Sequence, residues 1–390
     1  MYRIKTMNKI SPVGLSRLDD ARFQVGDSVA EEQGILVRSA SLHEYDFPGS
    51  LLAIARAGAG TNNIPIDRCS EQGVVVFNTP GANANAVKEL VIAALLLASR
   101  DILGGAEWVK RQAADPAVDL EKAVEKGKSA FAGPELYHKS LGVIGLGAIG
   151  VLVCNAALEL GMDVYGYDPY LSVETALRLD RHVHGVKDVD ELYRHADYIT
   201  LHVPYMPSTK DTICAASLEK MKEGVRILNL ARGGLVNDED MLAALDSGKV
   251  AHYVTDFPNS TILKGKNVVP MPHLGASTPE SEENCAVMAA RQLADYLENG
   301  NIKNSVNLPD VVLERSGAAR LCLLHKNVPS MLTQIMTTLS DDGINVENMT
   351  NKSKKDYAYT IVDVNTPITA EAVAELSAIE HMIRVRLLQE

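Results

Sequence analysis

Through the middle of the chain, short apolar runs of strand length alternate with stretches whose apolar residues recur at helical spacing. Residues 141–150 read LGVIGLGAIG, a buried-strand pattern running straight into glycines. The helical stretch VLVCNAALELG follows, and then a second strand pattern, DVYGYD, at 163–168. Further strand patterns are YITLHVP (198–204), VRILNLA (225–231), VAHYVTDF (250–257) and NVVPMPH (267–273), with helical segments such as SLEKMKEG and DEDMLAALDSG between them. Strands alternating with helices predict a parallel sheet covered on both faces, with ligands at the carboxyl ends of its strands.

The first hundred residues repeat this style in GILVRSA (34–40), SLLAIARAG (50–58) and GVVVFNTP (73–80). The expected class is therefore α/β with two doubly wound parallel sheets. One long helix from Asn83 to about Trp108 would carry the chain into the second domain, and another at 278–300 would carry it back. Two crossings imply a cleft with a double hinge. The expected boundaries are 1–96 with 277–308 for the first domain and 97–276 for the second. Beyond residue 310 the pattern becomes strand, helix, strand, strand, helix, strand, so 316–390 is expected to form an antiparallel βαββαβ unit. In that unit the polar run Asn351 to Asp356 reads as a hairpin turn.

Composition narrows the function. The longest apolar run is VIAALLLA at 91–98, far below the ~20 residues of a membrane span. The start, MYRIKTMNKI, lacks the pattern of a secretory signal. Five cysteines with no CxxC argue against a disulfide framework or a zinc knuckle. No metal site is expected, and a reducing cytoplasm is the expected compartment. A net charge of −12 disfavours nucleic acid, which needs a basic face. A small anionic ligand would require a local group of arginines.

The glycine-rich segment carries the first chemistry. Gly145 permits a tight turn, Gly147 lets the backbone approach a pyrophosphate, and Gly150 lets the helix pack on the strand. The helix N-terminus then offers free N–H groups and partial positive charge to phosphates. Asp168 lies 18 residues beyond Gly150, close to the ~20 expected for the acid that accepts ribose hydroxyls. Its charge would repel a 2′-phosphate, so NAD is favoured over NADP. Arg232 and His273 also sit at strand ends. Beside a nicotinamide, Arg232 could clamp a carboxylate through two N–H bonds, and His273 could exchange a hydroxyl proton.

These segments together resemble the D-isomer-specific 2-hydroxyacid dehydrogenases, through RAGAGTNNI (56–64), VFNTPGANANAVKEL (76–90), LGVIGLGAIG, HVPYMPST (202–209), NLARGGLV (229–236), TDF (255–257) and PHLGAST (272–278). The resemblance implies a Rossmann nucleotide-binding domain beside a flavodoxin-like substrate domain. It gives Arg232 the substrate carboxylate and His273 the acid/base role, and it puts Asp256 against the nicotinamide amide. Ala148 and Ile149 would lie on the pyrophosphate. Val203, Pro204, Leu230 and Ala231 would line the adenosine and nicotinamide pockets. Within the family, the resemblance is to members that oxidise 3-phospho-D-glycerate to 3-phosphooxypyruvate, the first step of L-serine biosynthesis. In those members Arg38 and Ser39 match a loop that holds the substrate phosphate, and Gly58 and Asn83 match further substrate contacts. The family usually places a Glu a few residues after the Asp-Phe pair to orient the histidine. Here the segment 256–273 reads DFPNSTILKGKNVVPMPH and contains none. Another acid, a neutral group such as Asn259 or Ser260, or a less strongly coupled histidine are the alternatives.

The C-terminal unit resembles an ACT domain, in which His325, Asn327 and Asn345 match positions that bind L-serine as a feedback effector. Ser330 stands where the family often has Gly. A homodimer or homotetramer is expected. Two other readings stand beside this one. The substrate could be another 2-hydroxy acid, with reduction of 2-oxoglutarate, glyoxylate or hydroxypyruvate. The fold could also serve as a NAD-sensing scaffold, although retention of both Arg232 and His273 favours an enzyme.

Overall fold

A computed structural model describes residues 1–389. It divides the chain into two units, Met1–Asn83 together with the chain from Pro279 onward, and Ala84–Thr278. Among the described residues no helix is long and apolar enough to cross a membrane.

In the first unit β1 (Tyr2–Met7), β2 (Phe23–Gly26), β3 (Gly34–Val37), β4 (Ala53–Arg56) and β5 (Val75–Phe77) form a sheet in the order β2-β1-β3-β4-β5. Every pairing is parallel. β3 and β5 are buried along their whole length, as expected for strands covered on both faces. The helix Pro279–Asn299 lays Ala286, Ala289, Ala290 and Leu293 on Ile4, Leu36 and Phe77. Small residues let elements close in: a Cβ on Gly14 would stand 2.5 Å from that of Ala286.

The second unit holds β6 (Ser140–Ile144), β7 (Asp163–Tyr167), β8 (His184–Gly185), β9 (Tyr198–Leu201), β10 (Val225–Asn229), β11 (Val250–Thr255) and β12 (Val268–Pro270). They form one parallel sheet in the order β12-β11-β10-β9-β6-β7-β8. The helix Ala84–Ser99 buries Val87, Val91, Leu95 and Ala98 against Leu141, Val143 and Val153 of this sheet and its helix. Each buried Val or Leu contributes ~1.5–3 kcal/mol, so the helix belongs wholly to the second unit. The division therefore falls at Asn83/Ala84 and not after residue 96. The continuous helix expected as far as Trp108 is also broken. Ser99 ends the first helix, and Asp101 caps the next, Ile102–Ala113, its Oδ1 accepting from the Gly104 N–H at 2.9 Å.

The C-terminal segment forms β13 (Ala319–Lys326), β14 (Val346–Lys354), β15 (Tyr357–Val364) and β16 (Met382–Gln389), antiparallel in the order β14-β15-β13-β16. Helices Met331–Asp341 and Ala370–Ala378 cover one face, where Ile335, Leu339 and Leu376 meet Leu321, Leu323 and Val362. The polar run Asn351 to Asp356 is not all turn. Asn351 to Lys354 pair with β15, and only Lys355 and Asp356 turn, Lys355 at φ +56°. An edge strand facing water carries polar residues without cost, which hides it from a hydrophobicity reading.

The other face of this sheet is buried against the first unit. Cys322, Leu324, Tyr359 and Ile361 share one core with Tyr296 and Leu297 of the helix Pro279–Asn299. Hence the βαββαβ segment is grouped with the first unit and does not stand apart. Arg386 donates to the carbonyls of Tyr296 (3.2 Å) and Leu297 (3.0 Å), and Arg320 donates to that of Asn299 (2.8 Å). Two cations thus bond the carbonyls of the last helical turn, that of Tyr296 in addition to the Gly300 N–H it already accepts at 2.9 Å. Arg320 is fully buried and bidentate to the equally buried Asp363 at 2.6 and 2.7 Å. Asp363 also accepts from the Ser316 N–H and hydroxyl. Asp363→Ala would leave the Arg320 guanidinium buried without its anion, at a cost of about 3–5 kcal/mol. A lowered urea midpoint for the transition that exposes β13 to β16, followed by amide exchange, is the expected result.

Candidate active site

Each glycine of the β6 turn has a distinct job. Gly145 has φ +95°, and a Cβ there would stand 2.6 Å from the His202 carbonyl oxygen. A Cβ on Gly150 would lie 2.0 Å from the Gly145 carbonyl oxygen, so the helix Ala148–Glu159 can close on β6 only without it. Gly147 differs: its φ is −72° and a Cβ would meet nothing within 4 Å. The space beside it is a cradle open to a ligand, next to the first-turn amides of Ala148 and Ile149, which have no intrahelical acceptor. Asp168, just past β7, accepts from the Leu146 N–H at 2.9 Å and the Tyr170 N–H at 2.8 Å. It pins the glycine turn and keeps lone pairs for ribose hydroxyls. A dinucleotide pyrophosphate fits these residues.

Past β9, Val203 has its Cγ1 within 2.9 Å of where a Gly145 Cβ would be, and Pro204 is exposed. His202 is not an acid/base candidate. Burial pushes its pKa down to about 4, and its Nε2 lies 3.0 Å from the Thr200 hydroxyl. Past β10, Leu230 is buried in the core beside Leu228 and Val254, so only its backbone can reach a ligand. Asn229, buried, donates to the Arg232 carbonyl (2.9 Å) and accepts from the Ala231 and Arg232 N–H groups (3.3 and 3.4 Å). This one amide shapes the turn that presents Arg232. The Arg232 guanidinium is exposed, donates at 2.6 Å to the Ala231 carbonyl, and forms no ion pair among the described residues.

His273 follows β12 and has φ +54°, a conformation that costs a non-glycine residue of order 1–3 kcal/mol. Asp256 past β11 is 1% exposed, and its two oxygens accept from the Leu274 N–H (2.7 Å) and the Gly275 N–H (2.8 Å). The buried carboxylate thereby holds the two residues that follow the strained histidine. Asp256 itself donates its N–H to the Asn229 carbonyl at 3.0 Å, which joins the two turns. The Phe257 ring packs on the His273 imidazole, centroids 4.6 Å apart, and its Cβ lies 3.8 Å from where a Gly233 Cβ would be. Arg232 and His273 thus stand on the strands that flank β11, linked through Asp256 and Phe257.

No carboxylate within the unit ion-pairs with His273. Asn259 does not orient it either. Its Nδ2 donates to Asp238 at 2.7 Å, and its Oδ1 accepts from the Thr261 and Ile262 N–H groups. The role that the family resemblance gives Asp256, a contact to a nicotinamide amide, would be shared with its two backbone bonds. Asn229 and Phe257 escaped the sequence reading, because their roles lie in tertiary contacts and neither carries a charge.

In the first unit, Arg38 follows β3, Gly58 follows β4, and Asn83 ends the segment. The Arg38 Nη2 pairs with the Glu282 Oε1 at 2.5 Å. Asn8, at φ +95°, accepts from the Ser39 (3.2 Å) and Ala40 (2.7 Å) N–H groups and fixes this loop. Gly58 has φ +153°, and the Arg56 guanidinium occupies the space of its missing Cβ. Arg56 also donates to the Arg38 carbonyl at 3.1 Å; it too was missed from the sequence.

In the C-terminal sheet, His325 is buried, its Nδ1 2.8 Å from the Lys326 carbonyl and its Nε2 3.0 Å from the Thr360 hydroxyl. The Asn327 amide donates to the Lys355 carbonyl. His325 faces Ala358 on β15, whereas Asn345 adjoins Val346, which faces Val364. These ends of β15 are roughly 20 Å apart at strand rise, so a single chain does not bring the three expected effector residues together.

Residues 92–275 match the D-isomer specific 2-hydroxyacid dehydrogenase, NAD binding domain family. The D-3-phosphoglycerate dehydrogenase of Escherichia coli (strain K12) is 31% identical, the match covering 95% of this chain and 90% of that protein. The chain belongs to the D-isomer specific 2-hydroxyacid dehydrogenase family. Its second unit holds the family's NAD-binding domain, NAD is its cofactor, and the chain is an NAD-dependent 2-hydroxyacid dehydrogenase. The D-3-phosphoglycerate dehydrogenase of Methanocaldococcus jannaschii is 35% identical over 76% of this chain, which spans about half (54%) of that longer protein. Among solved structures, the NAD+-bound 3-phosphoglycerate dehydrogenase of Entamoeba histolytica aligns with a TM-score of 0.60 at 27% identity, over 78% of this chain and 98% of that one.

The open cradle at Gly147 can be separated from the packing at Gly150. Gly147→Val is expected to weaken NADH binding at least tenfold in a fluorescence titration while the melting temperature stays within a few degrees. Gly150→Ala is expected to lower the melting temperature markedly, because its Cβ meets backbone at 2.0 Å.

Proposed function

We propose that this chain oxidises 3-phospho-D-glycerate to 3-phosphooxypyruvate. The observation that supports it best is an exposed guanidinium and an exposed imidazole on strand ends flanking β11, neither ion-paired within the unit, beside a turn suited to a dinucleotide. Arg232 grips the substrate carboxylate with two parallel N–H bonds and fixes the carbon to be oxidised. His273 takes the proton of the 2-hydroxyl as the carbonyl forms. Bound NAD supplies the acceptor for the hydride leaving that carbon. Arg38 holds the phosphate, a role a dianion requires in a protein of net charge −12. The names of the relatives support this substrate over an unphosphorylated acid.

Feedback by L-serine would have to join residues from two copies, since His325 and Asn345 lie at opposite ends of β15. It would also have to replace the Thr360 contact of His325. This supports a paired assembly for any such control.

The test is NADH formation at ~340 nm, the nicotinamide band, with a panel of 2-hydroxy acids. His273→Asn is expected to cut kcat by about 10²–10⁴, whereas a NAD-sensing scaffold would have no turnover to lose. Arg38→Ala is expected to raise KM for 3-phosphoglycerate far more than for unphosphorylated glycerate. Equal effects on both acids would overturn the substrate assignment. Turnover unchanged by millimolar serine would remove the feedback reading and leave the rest intact.

A further inference from the structure

Glu282 lies in the first turn of the helix Pro279–Asn299, and its Oε1 sits 2.5 Å from the Arg38 Nη2. Both side chains are 44% exposed, so neither is held there by burial. The carboxylate takes one of the guanidinium N–H groups and part of the charge that a phosphate oxygen would use. Arg56 approaches the same loop, donating to the Arg38 carbonyl at 3.1 Å. Burial pushes up the Cys285 thiol, one turn along the helix from Glu282, and the nearby Arg56 and Arg38 charges oppose that shift. The first turn of this helix therefore stands in a cationic neighbourhood that carries its own built-in anion.

We propose that Glu282 is a specificity-determining residue that competes with the substrate's phosphate for Arg38. The proposal rests on the reading that Arg38 holds that phosphate. A doubly charged phosphate displaces the singly charged carboxylate, whereas the hydroxymethyl group of an unphosphorylated acid leaves the ion pair closed. Glu282 thereby lowers affinity for the correct substrate and its equally phosphorylated product. It also keeps singly charged ligands from settling on Arg38. The phosphate is remote from the carbon that loses hydride, so its grip is the same in ground and transition states. The effect falls on KM rather than kcat.

Glu282→Gln keeps the shape and an oxygen acceptor for Arg38 and removes only the charge. Steady-state assays with 3-phosphoglycerate and with glycerate are run on the full chain for wild type, Glu282→Gln, Arg38→Ala and the double variant. An exposed ion pair has a strength that corresponds to roughly two- to five-fold in affinity. The KM for 3-phosphoglycerate is expected to fall by that factor in Glu282→Gln, with a smaller change in kcat, so the preference for 3-phosphoglycerate over glycerate rises. In the Arg38→Ala background the same change is expected to have little effect. A residue serving only the helix N-terminus would move both substrates alike. An unchanged or reduced preference in Glu282→Gln, with Arg38→Ala still selectively harming 3-phosphoglycerate, overturns the proposal alone. If Arg38→Ala harms both acids equally, the phosphate reading fails and the role of Glu282 fails with it.

Discussion

The candidate active site depends on one buried carboxylate. Asp256 is shielded from water, and burying an anion is costly unless its oxygens are bonded. Its partners are the two amides that follow His273. Releasing them would leave a buried charge unsatisfied, so the backbone stays where it is, and His273 stays at a positive φ that its own side chain disfavours. The strain is carried by a contact one residue away, which leaves the imidazole free of structural bonds. Phe257, next to Asp256 in the chain, then fixes the ring by packing. An uncharged wall constrains the ring's orientation by packing alone, with no ion pair to hold it.

Much of this was legible in the sequence because glycine and charge are scarce signals with narrow physical causes. The spacing of Gly145, Gly147 and Gly150, and an acid at 168 after the next strand, admits few structures other than the one found. Arg232 and His273 stood out because strand ends of a parallel sheet are where ligands sit. What escaped was tertiary. Asn229 shapes the Arg232 turn through an amide that could as well have been a surface residue. The helix from Ala84 was assigned in part to the wrong unit, because an apolar stripe states that it is buried but not on which sheet. β14 was half hidden because an exposed edge strand needs no apolar face.

The C-terminal sheet shows the same limit from another side. Its βαββαβ order could be read from alternating patterns, and such a unit can bury one face under its own two helices. Nothing in the pattern tells what covers the other face. Here the residues are apolar on both faces of β13, from Ala319 to Leu324, with Arg320 among them. A central strand buried on both faces, in a sheet whose own helices cover only one of them, means that a neighbour must exist. That neighbour is the C-terminal end of the helix Pro279–Asn299, whose carbonyls Arg320 and Arg386 complete. The first turn of the same helix carries Glu282, which pairs with Arg38. One rigid element therefore joins the sheet to the loop that carries the proposed phosphate contact.

Three arginines show how an acidic chain sets up local positive charge. Arg320 is fully buried and paired with Asp363, and its planar fork satisfies the carboxylate and two carbonyls at once; it is a fixed joint. Arg38 is half exposed and paired with Glu282, so its charge is present but shared. Arg232 is exposed and leans only on a carbonyl, so its charge is open to an incoming carboxylate. The side chain is the same in all three; solvent access and the nearest anion differ. Burial makes separating a pair expensive, so Arg320 cannot exchange partners. In the half-exposed case water offsets most of the attraction, so an anion of higher charge can displace Glu282. With no anion at all, the Arg232 guanidinium is open to the carboxylate proposed for it, and the Asn229 amide shapes the turn that presents it.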